Sequence, residues 1–281
     1  MKWRLKIFFK ILLSKLPIKY SLWKSLGLFK HGRMDSLDYP IKIFNLHIKK
    51  AYPKIIPKKL IILELGPGDS IASAIIGYAY GVSKTYLVDV DNYAIKDISF
   101  YKELSSKLKF KGLRAPDLSQ VSSFEEILKL SNAIYLKEGL DSLKALKSNS
   151  IDFVWSHSVL EHIRKASFSK IQKELIRILK PSGNISHNID FQDHLDHSLN
   201  NLRFSERLWE SDFFANAGFY TNRIPAKKMH TIFQEVGFII KQESFGKWPS
   251  LPIRRKDMHN EFDIYSDSEL INRTSYVLLS K

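Results

Sequence analysis

The chain has 281 residues, 44% of them apolar, enough to bury one full core with decorations or one domain plus a small cap. It contains no cysteine, which excludes disulfides, thiolate metal sites and cysteine nucleophiles. The net charge of +15 is unevenly placed: residues 1–60 carry 15 Lys and Arg against Asp35 and Asp38, a net of +13, while the other 221 residues hold 29 basic and 27 acidic groups.

Residues 1–30 interleave Trp3, Leu5, Ile7, Phe8, Phe9, Leu12, Leu16, Trp23 and Phe29 with lysines. As a helix this places Leu5, Phe8, Leu12 and Leu16 on one side, with Arg4, Ile11 and Lys15 blurring the division. Such a segment either packs on the domain with its lysines in water or makes peripheral contact with an anionic membrane surface. Nucleic acid ranks last as a partner, because the remaining chain has no basic stripe and no binding motif. No segment reaches the roughly 20 uninterrupted apolar residues of a membrane span, and no clean secretory signal is present. The expected location is cytoplasmic, with the membrane-peripheral alternative open.

Pro53 and Pro57 mark a boundary between a basic, partly amphipathic helical region, residues 1–57, and a second region, residues 58–281. Leu60-Ile61-Ile62-Leu63-Glu64 reads as a buried parallel strand ending in an acid, and Gly66 and Gly68 then open a tight turn. Asp69 and Ser70 are placed to N-cap a small-residue helix from Ile71 to Tyr80. Further strands are expected at 85–89, 133–136, 151–155 and 184–190, with helices around 159–163 and 168–179 and breakers at Lys180-Pro-Ser-Gly183. Residues 191–228, rich in His, Asn, Arg and aromatics, lack clear periodicity and read as an insertion over the site. A helix at 229–236 and strands at 238–242 and 276–280 complete the series. Strands alternating with helices imply a doubly wound, mostly parallel sheet.

The glycine turn, Glu64, and Asp89 25 residues beyond it suit a nucleoside: a second-strand acid accepts from ribose hydroxyls while glycines let the ligand approach. Asp91 is the alternative ribose acid. Asp69 inside the turn would repel a pyrophosphate, so a cofactor without phosphate is favoured over a dinucleotide.

These features resemble the class I S-adenosylmethionine-dependent methyltransferases. Glu64-Leu-Gly66-Pro67-Gly68-Asp69-Ser70 is similar to their first motif, with Ser70 where a third glycine is common, and Asp89 matches the ribose-binding acid. Ser150-Ile-Asp152-Phe-Val-Trp-Ser156-His157-Ser-Val-Leu-Glu161-His162-Ile resembles the fourth-strand segment of their type 11 branch. Glu174-Leu-Ile-Arg177-Ile-Leu-Lys180-Pro181-Ser182-Gly183 resembles that branch's helix ending, with Ser182 replacing a glycine. The likeness covers about residues 58–190 and the last two strands. It implies a seven-stranded Rossmann-like fold and S-adenosylmethionine as cofactor. Glu64, Gly66, Pro67, Gly68, Asp69, Ser70, Asp89, Val90, Leu140, Ser156 and His157 would then surround it. Adenine would lie near Glu138-Gly-Leu140-Asp141, with either Glu138 or Asp141 reading its amino group, and His162 would serve architecture.

The cluster His187, Asp190, Asp193, His194, Asp196 and His197 sits at and beyond the expected fifth strand, where an acceptor would meet the methyl group. Methyl transfer to a hydroxyl needs a base, and His187, Asp190 and His194 are the leading candidates. A divalent metal acidifying a sugar diol is the alternative. Asn201, Arg203, Asn222 and Arg223 among aromatics suit a sugar or a phosphate-bearing carrier, or else a packed subdomain. The leading expectation is O-methylation of a glycan or lipid-linked sugar intermediate of surface polysaccharide biosynthesis. The rivals are an RNA or protein methyltransferase and a non-catalytic cofactor-binding module.

Overall fold

The computed structural model describes residues 2–14 and 34–281. Helix α1 (Lys2–Ser14) is followed by α2 (Tyr39–Ala51), and then by β1 (Ile61–Leu65), α3 (Ala72–Ala79) and β2 (Lys84–Val88). Next come α4 (Ile98–Phe110), α5 (Phe124–Leu130), β3 (Ala133–Leu136), α6 (Leu140–Lys144) and β4 (Ile151–His157). A 3₁₀ turn at Leu160–His162 leads into α7 (Lys165–Ile178) and β5 (Leu179–Asp190). The insertion carries a 3₁₀ turn at Asn200–Arg203, α8 (Glu206–Trp209) and α9 (Asp212–Ala215). The remaining elements are α10 (Ala226–Val236), β6 (Ile239–Lys247), α11 (Asp267–Leu270) and β7 (Asn272–Ser280).

The described residues build one seven-stranded sheet of order β3-β2-β1-β4-β5-β7-β6. β1 to β5 pair in parallel, and β7 runs antiparallel to both β5 and β6. This is a doubly wound, mostly parallel, Rossmann-like sheet, as the alternation of strands and helices predicts. Side chains alternate across the central strands, so each face gains its own core. On one face Ile62, Leu87, Phe153 and Trp155 meet Phe44 and Ile48 of α2 and Ile75 of α3. On the other, Leu63, Val154, Ile185 and Val277 meet Phe168 and Leu175 of α7 and Phe233 of α10. Helix α2 therefore belongs to the core layer, although it precedes the expected boundary at residue 57.

The stretch expected to break the chain after α7 lies within β5. Ile151 pairs with Leu179 and Phe153 with Asn184, so residues 180–183 are accommodated as a bulge. A Cβ on Gly183 would lie 2.7 Å from Leu179 Cδ1. Two ionic anchors fix this region. Lys180 Nζ reaches Asp152 at 2.8 and 2.9 Å, and Asp152 Oδ2 accepts from the Ile61 amide at 2.8 Å. Arg177 pairs with Glu174 at 2.7 Å and donates to the carbonyls of Leu146 and Leu143, tying α7 to α6.

Candidate active site

The carboxyl ends of β1, β2 and β4 converge on the glycine turn. Gly66 (φ 71°) and Gly68 (φ 62°) both take the left-handed conformation that L side chains resist. Gly66 has a second reason to be glycine: a Cβ there would lie 2.5 Å from Val159 Cγ2. The Gly66 amide donates to Val88 O at 2.8 Å, and Gly68 N donates to Asp89 Oδ2 at 3.0 Å. Asp89 Oδ1 accepts from Val90 N at 2.8 Å, so the acid folds the turn around itself. The helix does not start as expected. Its N-cap position is Ile71, and Ser70 Oγ donates to Met34 O at 2.6 Å while accepting from Ala72 N at 3.3 Å.

The turn is acidic. Glu64 is 2% exposed, and its Oε2 has no hydrogen-bond partner. Burial, with Asp89 adding, raises its carboxyl to about 8. Burial lifts Asp89 to about 6 against its two backbone donors, with Asp91 and Asp69 adding. The charged side chains that act on Asp89 are thus carboxylates. Val90 stands beside them with its apolar side chain 70% exposed, against Gly139, whose amide donates to Asp89 O at 2.8 Å. Carboxyls raised by burial beside two glycines that bring no Cβ, next to an exposed apolar side chain, fit a cationic nucleoside and oppose a phosphate. S-adenosylmethionine, with its sulfonium, ammonium and ribose diol, has that chemistry.

A family model described as a methyltransferase domain matches residues 63–186, which run from the glycine-turn strand into β5. Residues 63–186 thus carry a methyltransferase domain, in line with the resemblance to the class I S-adenosylmethionine-dependent methyltransferases. Its cofactor is S-adenosylmethionine. No curated protein matches the chain. Among solved structures it is similar to an S-adenosylmethionine-dependent methyltransferase from Mesorhizobium loti, at 12% identity and TM-score 0.48, over 88% of this chain and 100% of that one. It is also similar to phosphoethanolamine N-methyltransferase 2 of Haemonchus contortus in complex with S-adenosyl-L-methionine. There the identity is 14% and the TM-score 0.48, over 86% and 52% of the two chains. An Archaeoglobus fulgidus methyltransferase aligns at 10% identity and TM-score 0.46, over 88% and 95%.

The methyltransferase's other expected site residues separate into two groups. Ser156 and His187 are fully buried on the α10 face of the sheet, with Ser156 Oγ 2.7 Å from His187 Nδ1. Burial depresses His187 to about 3, and its ring packs on Phe233 at 6.0 Å. His187 pairs with Ser156, the second-last residue of β4, but its side chain is fully buried beneath α10. As a base candidate it is therefore corrected. Ser156 likewise turns its hydroxyl inward, away from the glycine turn. The sequence pattern concealed this because the helix that covers this face, α10, and its Phe233 lie 46 residues beyond His187.

His157, one residue on, points to the opposite face. Its Nδ1 lies 3.2 Å from Nε2 of His47, a fully buried α2 side chain that also bonds Ser186 Oγ at 2.7 Å. Burial lowers both imidazoles, His157 to about 4, so both are neutral at pH 7. Nothing local marks His47 in the sequence, since its partners lie 110 and 139 residues away. Leu140 opens α6 directly after Gly139, Asp141 is paired with Lys144 at 2.8 Å, and the Glu138 amide donates to Ser142 Oγ at 3.0 Å.

The insertion closes over the turn that follows β4. His162 Nδ1 donates to Tyr220 O at 2.9 Å, which makes Nε2 the other ring nitrogen, the one not used by this carbonyl. Its ring stacks on His194 at 4.7 Å. Val159, on the same turn, is the residue that covers Gly66, which places His162 one short turn from the glycines. Asp190 accepts from the backbone and side chain of Gln192 at 3.0 and 2.9 Å, and its charge adds to the burial that raises the Glu161 carboxyl well above its ordinary range.

The polar residues expected to grip a sugar serve the insertion itself. Arg223 lies 5.3 and 5.1 Å from the Trp209 and Phe262 rings, donates to the carbonyls of Asn201 and Phe204, and pairs with Glu206 at 2.8 Å. Asn222 donates to Leu160 O and Ile163 O, and Asn201 to Thr221 Oγ1. Asp193 accepts from the amides of Leu195, Asp196 and Asn200 and so shapes its own loop. The packed-subdomain reading of these residues is the one the contacts support. Among the described residues, no group of three or more His, Asp or Glu is arranged to hold a metal ion.

Proposed function

We propose that this methyltransferase transfers a methyl group to a hydroxyl of a glycan or lipid-linked sugar intermediate, as in surface polysaccharide biosynthesis. Residues 58–281 together with α2 would form the catalytic domain, and residues 191–228 its substrate-side insertion. Glu64, Gly66, Pro67, Gly68, Asp69, Asp89, Val90, Leu140 and His157 would hold the cofactor, which supplies an electrophilic methyl on a sulfonium. Asp89 would accept from the ribose hydroxyls, and Glu64 and its acidic neighbours would favour the positive charge. The observation that carries this reading is the buried Glu64 carboxyl, one oxygen without a hydrogen-bond partner, beneath two left-handed glycines.

On the acceptor side, His162 is the preferred base, with Asp190 and His194 beside it. Its Nδ1 donates to Tyr220 O, so the neutral ring would accept a hydroxyl proton at Nε2 as the oxygen attacks. An imidazole suits a hydroxyl acceptor, whereas an amine at neutral pH needs less help. The lipid-linked part of the reading is supported by the basic, apolar α1 seated on the insertion.

The test is transfer of labelled methyl from S-adenosylmethionine to cell extract fractionated into lipid, glycan, RNA and protein pools. Label in the glycan or lipid pool is expected. Label confined to RNA or protein would favour the rival acceptor, and no label with intact cofactor binding would favour a non-catalytic module.

A further inference from the structure

Helix α1 has two apolar faces. Its inner face (Trp3, Ile7 and Ile11) packs into the insertion's core with Leu195, Trp209 and Phe219. Lys6 Nζ donates to Leu195 O at 2.5 Å and Lys10 Nζ to Gly218 O at 3.1 Å, so two cations lock the helix onto the insertion. The outer face carries Leu5, Phe8, Phe9 and Leu12, exposed by 49, 60, 53 and 50%. At 100° per residue Leu5, Phe9 and Leu12 lie within about 60° of one another, opposite Ile7. Aromatic and aliphatic groups left in water along a helix already anchored by its other side mark an interaction surface.

We propose that this outer face lies on an anionic lipid bilayer and brings the acceptor side of the methyltransferase to the membrane surface. Charge selects the occupant. Residues 2–14 hold Lys2, Arg4, Lys6 and Lys10 with no acid, within a 60-residue segment of net +13, whereas the rest of the chain is near neutral. The geometry selects it too. A polyanion such as RNA is gripped by an outward row of cations, whereas here the outward row is apolar and the cations, with Arg4 and Lys6 exposed, stand to its sides, as suits a bilayer with anionic headgroups. At 13 residues the helix is about 20 Å long, short of a roughly 30 Å hydrocarbon core, so it lies along the surface. Among the described residues no helix is long and apolar enough to cross a membrane. The helix rests on the insertion that also contacts the His162 turn through Tyr220 and Asn222. A bilayer under α1 is thereby two contacts from the acceptor side.

The experiment is co-sedimentation of the full chain with vesicles of phosphatidylcholine alone and of phosphatidylcholine mixed with phosphatidylglycerol. The comparison protein is the Leu5→Asp/Phe9→Asp/Leu12→Asp variant. Melting temperature and S-adenosylmethionine affinity are measured on both proteins. We expect salt-sensitive binding to the anionic vesicles, at least about tenfold weaker in the variant, with melting and cofactor affinity unchanged. Should the triple variant melt early, Phe9→Ser alone carries the same comparison. Equal pelleting of variant and parent overturns the proposal. So does absence of vesicle binding, whether the variant then abolishes dimerisation, RNA binding or neither. No turnover is read, so this result stands or falls separately from the acceptor assignment.

Discussion

The glycine turn and the insertion both bury polar groups at the same end of the sheet, and they treat them in opposite ways. In the insertion most buried charge is answered from within: Asp193 takes three backbone amides, and Arg223 takes two carbonyls, a carboxylate and two ring faces, although its Nε and the Asn201 Oδ1 are left without a partner. At the glycine turn Glu64 keeps an oxygen without a partner, and the carboxyls of Glu64 and Asp89 are pushed far above their usual range. A fold leaves a buried carboxyl unanswered only at a cost of about 1–3 kcal/mol, and a cationic ligand recovers it. The acids of the turn are thus placed to favour a cationic ligand, whereas the charges of the insertion mostly serve its own packing.

The largest effect expected from breaking this contrast is on catalysis. His162→Asn keeps a side-chain donor for Tyr220 O but removes Nε2. Its kcat should fall by about 10²–10⁴ while cofactor affinity, read by calorimetry, stays within about twofold. An equal loss of both would make His162 a structural residue only. Next comes Gly66→Val. The new side chain meets Val159 at a left-handed φ, so we expect about 3 kcal/mol lower stability and at least a hundredfold weaker cofactor binding.

Arg223→Met should reverse the pattern. Removing a buried guanidinium leaves Glu206 and two carbonyls unanswered, lowering stability by about 2–4 kcal/mol in chemical denaturation, with cofactor affinity little changed. Glu64→Gln has the smallest stability effect, and its sign depends on pH. A carboxyl raised by burial supports the fold fully below its ordinary range, and that support is lost as pH rises through about 8. Free wild type should thus lose stability between pH 5 and 8.5, and Glu64→Gln should shrink that loss by about 2 kcal/mol. An unchanged pH profile would remove Glu64 from the account.

What the sequence revealed followed from how local each feature is. Glu64, Gly66, Gly68 and Asp89 form a turn whose chemistry is written in neighbouring residues, so strand, turn and acid are legible together. His187 misled because what buries it, Ser156 on β4 and Phe233 on α10, lies 31 and 46 residues away in the chain. The insertion's arginine and asparagines resembled a sugar platform because sequence lists donors without their partners. Arg223 finds Asn201, Phe204 and Glu206 only once the chain has folded back on itself. His47 was illegible for the same reason: its two ring nitrogens bond residues more than a hundred positions away.

The most direct test of the acidic turn as a methyl-donor site is calorimetric titration with S-adenosylmethionine at pH 6 and pH 8, on wild type and Asp89→Ala. The account predicts tighter binding at pH 8, because Glu64 and Asp89 give up protons to meet the sulfonium, and a loss of about a hundredfold in Asp89→Ala. Binding that is equal at both pH values and insensitive to the substitution would contradict it.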